Sequence, residues 1–276
     1  MTTDQSVDPN AFRAFEHAGW QSVAALYGKD FGKLTSQTSD PLLDAVEVRN
    51  GVRVLDMATG PGYIAGAAAQ RGANVVGMDF SSAMIAEARQ RYPNVEFREG
   101  DAEVLPFPDE TFDVVTMNFG LLHVGKPEQA VREVYRVLRP GSKFGFTVWA
   151  NPDQAVGLGI VLRAIQAHGN MDVPLPPGPP FFRFSDPAEC EHVLYEAGFE
   201  TPSVIQIPLV WQLNSPDAVF ETLYYGTVRT AGLLRAQTPE ALEAIRAAIA
   251  NAARAFQHGD ILELPMPAVL ASAVKV

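Results

Sequence analysis

Three aspartates and two glycines are the residues of this chain best placed to do chemistry. Asp56 and Asp79 stand at the ends of apolar runs that suit buried strands, and Asp101 follows a third expected strand at 95–99. Gly60 and Gly62 make a sharp turn around Pro61 directly after the first. A strand that ends in a glycine turn at a helix N-terminus offers backbone N–H groups to a ligand, with the helix dipole behind them. Glycine suits that turn because it takes φ values other residues avoid and has no side chain to hold a ligand away. Asp79, at the end of the next strand, can accept both hydrogen bonds of a ribose diol. The chemistry is nucleotide-like binding.

Gly60-Pro-Gly62-Tyr-Ile-Ala65 satisfies the dinucleotide fingerprint G-x-G-x-x-G/A, so on this motif alone an NAD-dependent oxidoreductase is an equal rival. Asp56 argues against it, because a pyrophosphate at the turn would meet a negative charge there. Gly100-Asp101-Ala102-Glu103 adds a second acceptor where an adenine amino group could sit. Three carboxylates around one site favour a cationic sulfonium nucleoside over a diphosphate.

The elements that must position these residues alternate regularly. Strands are expected at 52–58, 74–79, 95–99, 112–118 and 143–149, with helices at 63–71, 82–91 and 127–138 between them. Val131, Val134, Tyr135 and Leu138 give the last helix an apolar stripe. This order implies an α/β fold with a doubly wound, mostly parallel sheet. Before it, residues 11–32 read as one amphipathic helix with Phe12, Phe15, Ala18 and Val23 on the apolar face. Asp40 is expected to cap a short helix over 42–46, with Pro41 at its first position.

After Ala150 come a helix near 153–168, a stiff Pro-rich loop at 173–180 and a helix over 185–197 stopped by Gly198. A strand at 203–212 has Pro208 as an edge or bulge position. Two helices follow, opened by Ser215-Pro216-Asp217 and Thr238-Pro239-Glu240, and the run 268–276 reads as a last, antiparallel strand. The expected organisation is a single domain: an N-terminal helical cap (1–47), a nucleoside-binding core (48–150), and a remainder (151–276) that carries the last strands and a helical lid.

The composition bounds the class. With 276 residues, 47% hydrophobic and 19% charged, the chain is an ordinary globular protein. It has no long apolar run of membrane-spanning length and no secretory signal. The net charge of −11 opposes nucleic-acid binding. The single cysteine, Cys190, fits a reducing cytoplasm and a buried structural role. No Cys/His cluster has zinc-ligand spacing, so no metal is expected.

The motifs resemble those of class I S-adenosylmethionine-dependent methyltransferases. The resemblance rests on Val54-Leu-Asp-Met-Ala-Thr-Gly-Pro-Gly62, Gly77-Met-Asp-Phe-Ser-Ser-Ala-Met84, the stretch from Gly100-Asp-Ala-Glu to Phe112-Asp113, and Arg136-Val-Leu-Arg-Pro-Gly-Ser-Lys-Phe144. Its flavour is that of the small-molecule branch related to ubiquinone and menaquinone biosynthesis, and it covers about residues 40–150. The resemblance implies a Rossmann-like methyltransferase sheet and S-adenosylmethionine as cofactor, released as S-adenosylhomocysteine. It implies that Gly60 and Gly62 admit the methionine part, that Thr59 hydrogen-bonds there, and that Asp56 supports the loop or the amino group. Asp79 then takes the ribose diol, Phe80 and Met84 line the adenine, and Asp101 and Ala102 meet its edge. Asn118 and Phe119 flank the sulfonium and the acceptor. Ala58 departs from the family glycine and is expected to tune affinity.

Methyl transfer needs a base only if the acceptor keeps its proton at the transition state. His123, in the loop after the fourth strand, is the candidate, with packing or helix capping as its alternative role and His17 as a weaker substitute. Trp20, Tyr27, Trp149, Phe182 and Tyr224 are the expected acceptor contacts, which points to a small apolar or aromatic molecule. A monomer or homodimer is expected. A cofactor-binding protein without methyl transfer is the second reading, and the NAD oxidoreductase the third.

Overall fold

The computed structural model describes residues 8–28 and 31–276. Its elements in order are α1 (Pro9–Tyr27), α2 (Phe31–Thr35), α3 (Ser39–Ala45), β1 (Arg53–Met57), α4 (Tyr63–Gln70), β2 (Asn74–Asp79), α5 (Ser82–Arg91), β3 (Glu96–Glu99), β4 (Phe112–Asn118), α6 (Pro127–Val137) and β5 (Leu138–Trp149). The second half adds α7 (Val156–His168), α8 (Pro187–Glu196), β6 (Phe199–Ile207), β7 (Val210–Leu213), α9 (Asp217–Gly226), α10 (Arg229–Arg235) and α11 (Pro239–Ala253). It closes with β8 (Gln257–His258), β9 (Ile261–Pro265) and β10 (Ala268–Lys275).

A seven-stranded sheet in the order β3-β2-β1-β4-β5-β10-β6 forms the centre. Strands β1 to β5 run parallel, and β10 lies antiparallel between β5 and β6. The central strands are buried on both faces, so they read as apolar runs rather than alternations. Parallel pairing brings the C-terminal ends of β1, β2, β4 and β5 to one edge. Asp56, Asp79, Asn118 and Trp149 therefore come together there, the crevice where open α/β sheets bind ligands. No helix among the described residues is long and apolar enough to cross a membrane.

The structure corrects several expected boundaries. The helix expected over 11–32 ends at Tyr27, and a second one begins at Phe31; the intervening pair lies outside the described residues. On α1, Phe12 and Val23 are buried as expected, but Ala18 is exposed, Phe15 is half-buried and the buried face includes Glu16. Asp40 does not cap α3, which starts at Ser39. Its carboxylate instead binds Arg71 at 2.7 Å.

The strand expected at 203–212 is two strands in two sheets, separated at Pro208, which has no N–H to continue a ladder. β7 pairs with β9, and β9 with β8, in a small antiparallel sheet inserted before β10. That sheet and the short helix α10 were not legible in the pattern. Cys190 is fully buried, donates to the Phe184 carbonyl at 3.1 Å, and has its thiol pushed up to about 12 by burial.

Candidate functional site

The turn after β1 is held from beneath by Asp56. Its carboxylate accepts the Thr59 hydroxyl (2.5 Å), the Thr116 hydroxyl (3.0 Å) and the Ala65 N–H (3.1 Å). Burial pushes its carboxyl up to about 6, against the downward pull of those three donors. Thr59 thus turns its hydroxyl inward to the loop, and its N–H binds the Met78 carbonyl of β2 at 2.9 Å. The chain reverses through three residues of positive φ: Ala58 (+54°), Gly60 (+52°) and Gly62 (+83°). A side chain on Gly60 would meet only open space, so its backbone is free to approach a ligand; one on Gly62 would strike Phe97 and Tyr92.

Ala58 occupies a left-handed conformation that costs a residue with a Cβ about 1–2 kcal/mol. Its methyl is accommodated because Gly120 lies opposite. A Cβ built on Gly120 would fall 2.6 Å from the Ala58 Cβ. Phe119, next to Gly120, also has positive φ (+53°) and stacks on Trp149 with centroids 4.1 Å apart.

Asp79 sits where two cavities meet. One carboxylate oxygen accepts the Gly60 N–H (2.8 Å) and the other the Ser81 N–H (2.9 Å), leaving further lone pairs on both. Burial pushes its carboxyl up to about 6, offset in part by those N–H groups and by His123 and His17 nearby. Ala58, Asp79, Phe80, Gly120 and His123 line both cavities.

The smaller cavity, of about 420 Å³ counting open space at its mouth, adds Met78, Asp101, Ala102, Met117 and Val124. Apolar walls with a carboxylate at the rim suit an adenine. Asp101 is not free, however. It accepts the Glu103 N–H at 2.9 Å and pairs with Arg13 of α1 at 2.5 Å.

The larger cavity, of about 760 Å³ on the same measure, lies over the glycine turn. Its inner wall holds Asp56, Thr59, Gly60, Tyr63 and Met84, and its outer wall Trp20, Tyr27, Phe31, Thr35, Trp149 and His123. Asn118 reaches this cavity, but its amide is committed. It accepts the Thr38 and Thr147 hydroxyls (2.7 and 2.5 Å) and donates to the Thr35 carbonyl (3.1 Å), which ties the cap to β4. Burial raises the Tyr27 phenol, whose oxygen shares a 3.0 Å hydrogen bond with Thr35. Tyr27 therefore stays neutral.

Trp20, Tyr27, Trp149 and His123, expected at the acceptor, all line this cavity. Phe182 and Tyr224 do not: Phe182 packs on Phe181, and Tyr224 stacks on Phe220 with Arg235 over its ring. Both were inferred from aromatic type alone, which does not distinguish a cavity wall from a helix interface. Conversely, Phe31, Thr35 and Tyr63 were missed, and so was the arrangement around His123. His123 Nδ1 lies 3.0 Å from Glu16 Oε2, which also accepts the Trp20 indole N–H at 3.0 Å. Its spacing from Phe12 and Val23 puts Glu16 on the apolar face of α1, a signal in the sequence that the expected apolar face left out.

The donors present fit a sulfonium nucleoside better than a dinucleotide. Asp56 already accepts an N–H in the first turn of α4, so the helix terminus that would hold a pyrophosphate faces a buried carboxylate instead. A cation on the far side of the turn is favoured by the same charge. Asp79 supplies free lone pairs at the cavity junction for a ribose diol.

Residues 55–146 match a family described as a methyltransferase domain. A demethylmenaquinone methyltransferase of Renibacterium salmoninarum is 38% identical over 133 residues, which cover 47% of this chain and 56% of that protein. The chain thus spans about half the length of this curated relative. Among solved structures, the YcgJ protein of Bacillus subtilis superposes with a TM-score of 0.59 at 22% identity, covering 87% of this chain and 98% of that one. The [4+2]-cyclase SpnF superposes with a TM-score of 0.57 at 18% identity, covering 97% and 95%. At such identities the structures establish the fold alone, a Rossmann-like α/β sheet.

Proposed function

We propose that this chain, whose residues 55–146 form a class I S-adenosylmethionine-dependent methyltransferase domain, transfers a methyl group to a small apolar or aromatic acceptor. The observation that carries the reading is Asp79 at the meeting point of an adenine-sized cavity and an aromatic-walled one. When bound, S-adenosylmethionine supplies the methyl group on a sulfonium and leaves as S-adenosylhomocysteine.

The chain's own part is placement and exclusion of water. Asp79 accepts from the ribose diol, and Met78, Phe80, Ala102 and Met117 enclose the base. Gly60 lets the backbone close on the methionine part while Asp56 keeps the turn rigid. Trp20, Tyr27, Phe31 and Trp149 hold the acceptor, and an apolar aromatic surface suits them. His123 takes the proton that the acceptor releases. The matched relative is named for acting on demethylmenaquinone, which fits the aromatic wall. The described residues up to 47 serve as cap, 48–150 as cofactor core and 151–276 as the remaining strands with a helical excursion, while the cap and core supply the walls of both cavities. The acidic surface and the single buried cysteine support a cytoplasmic enzyme that handles a small molecule rather than a nucleic acid.

Isothermal titration with S-adenosylmethionine tests the first half, and no binding at millimolar cofactor would refute it. Incubation with methyl-labelled cofactor and a panel of hydroquinones, catechols and naphthols tests the second half. Binding without S-adenosylhomocysteine release on any of them would remove the acceptor class.

A further inference from the structure

Glu16 is an expensive residue to keep in this position. It is fully buried in the middle of α1, and its Oε1 has no hydrogen-bond partner among the described residues. An unpaired buried carboxylate oxygen costs stability that a residue of similar shape without charge would not. Its other oxygen, Oε2, receives the Trp20 indole N–H and faces His123 Nδ1, both at 3.0 Å. The imidazole stands edge-on to the Trp20 ring, with centroids 4.9 Å apart, and Phe181 flanks it at 6.0 Å. Aromatic walls and one hydrogen bond therefore fix the ring. His123 lines both cavities, so the ring fixed in this way belongs to the site.

We infer that Glu16 is a positioning residue for His123, holding its Nδ1 protonated so that Nε2 is left as the proton acceptor of the site. The inference rests on the reading of His123 as base given above. With Glu16 ionised its carboxylate can only accept, and the 3.0 Å contact then places the proton on Nδ1. In the transfer step the acceptor's X–H proton passes to Nε2, and the electron pair of that bond forms the X–CH3 bond. The S–CH3 bond breaks with its pair remaining on sulfur, and the imidazolium formed is stabilised by the Glu16 charge. The other charged groups around the pair are Asp79 at the end of β2, His17 on α1 and Arg229 on α10. Arg229 lies over the Phe12 and Phe181 rings at 5.1 and 5.3 Å.

The test uses the full chain with selectively 15N-labelled histidine and S-adenosylhomocysteine as the bound probe. Long-range 1H–15N spectra report which ring nitrogen carries the proton, and His123→Gln assigns the signal. The expected result is an Nδ1-protonated His123 in the wild type. In Glu16→Gln the tautomers should mix, because the carboxylate that fixes the proton on Nδ1 is gone. Glu16→Asp should restore the tautomer at least partly. The Kd for S-adenosylhomocysteine should stay within about twofold, since Glu16 touches neither the turn nor Asp79.

An Nε2-protonated wild type, or an unchanged tautomer in Glu16→Gln, would overturn the inference. Should Glu16→Gln fail to fold, the wild-type tautomer and the Glu16→Asp spectrum still decide. Failure of the wild type to bind the probe would instead strike the proposed function, so the two failures are distinguishable.

Discussion

Gly120 and Ala58 make a pair whose energetics follow from one distance. A methyl on Gly120 would lie 2.6 Å from the Ala58 Cβ and 2.8 and 2.9 Å from Met117 Cε and Cγ. Gly120 has φ −78° and ψ −37°, an ordinary helical conformation, so alanine suits its backbone. Reduced freedom of the unfolded chain would then stabilise Gly120→Ala by about 0.4–1 kcal/mol. Overpacking opposes this with about 1–3 kcal/mol, and it should win because the Ala58 Cβ is fixed to a constrained loop. Gly120→Ala is therefore expected to lose about 1–2 kcal/mol.

Ala58→Gly relieves about 1–2 kcal/mol of left-handed strain and forfeits about 0.4–1 kcal/mol through added chain entropy. Alone it should be neutral to slightly stabilising. In the double variant the fixed contact is gone and only the flexible end of Met117 must move. The cost of Gly120→Ala should then shrink by about 1 kcal/mol, within the usual range for touching residues. Urea denaturation of the four proteins measures this coupling as shifts in midpoint at constant slope. Additivity to within about 0.3 kcal/mol would refute the claim that Gly120 is there to admit the Ala58 methyl.

Three further outcomes follow from the site. Asp79→Asn should weaken S-adenosylhomocysteine binding about 10- to 100-fold in calorimetry, the worth of charged hydrogen bonds to a diol; an unchanged Kd would mean the ribose lies elsewhere. Burial raises the Asp79 carboxyl from 3.8 to about 6, so the folded state holds this proton more tightly than the unfolded chain. Its contribution to stability should be greatest below pH 4 and decline by about 3 kcal/mol as pH rises through 6, so wild type should lose stability relative to Asp79→Asn across that window in parallel denaturation series. His123→Gln should lower kcat by about 10²- to 10⁴-fold for an acceptor that must lose a proton, with cofactor Kd unchanged; an unaltered kcat on such an acceptor would remove the base.

The core of the site was legible because its determinants are local. A strand, a turn and a helix within residues 53–71 define the glycine loop, and Asp79 sits at the end of a strand whose apolar run gives it away. What escaped depends on contacts distant in sequence. The β7-β9-β8 sheet is built of strands five residues long or shorter, too brief to show a period, and their pairing is visible only in space. Asp40 fits the sequence rule for a cap, yet Arg71, far along the chain, claims its carboxylate. Glu16 escaped for the opposite reason. On a helical wheel it falls beside Phe12 and Val23 on the apolar face, but only the distant His123 shows what a carboxylate does there.

Those escapes share a physical character with the local oddities of the site. Among the described residues, five other than glycine have positive φ, and two of them, Ala58 and Phe119, line the same cavity. Buried carboxylates tell the same story, since Asp56, Asp79 and Glu16 all stand on or just behind its walls. Backbone strain and desolvated charge each lower the stability of the fold. Neither is compensated where it occurs: Glu16 keeps an unpaired oxygen, and burial still outweighs the donors around Asp56 and Asp79. Removing them at Ala58 and Asp79, which face the ligand, should make the chain more stable and less able to bind, whereas relieving Glu16, which touches only Trp20 and His123, should leave cofactor affinity unchanged. Stability measured beside cofactor affinity at Ala58, Asp79 and Glu16 therefore separates the strained and buried groups that hold the cofactor from the one that acts through His123.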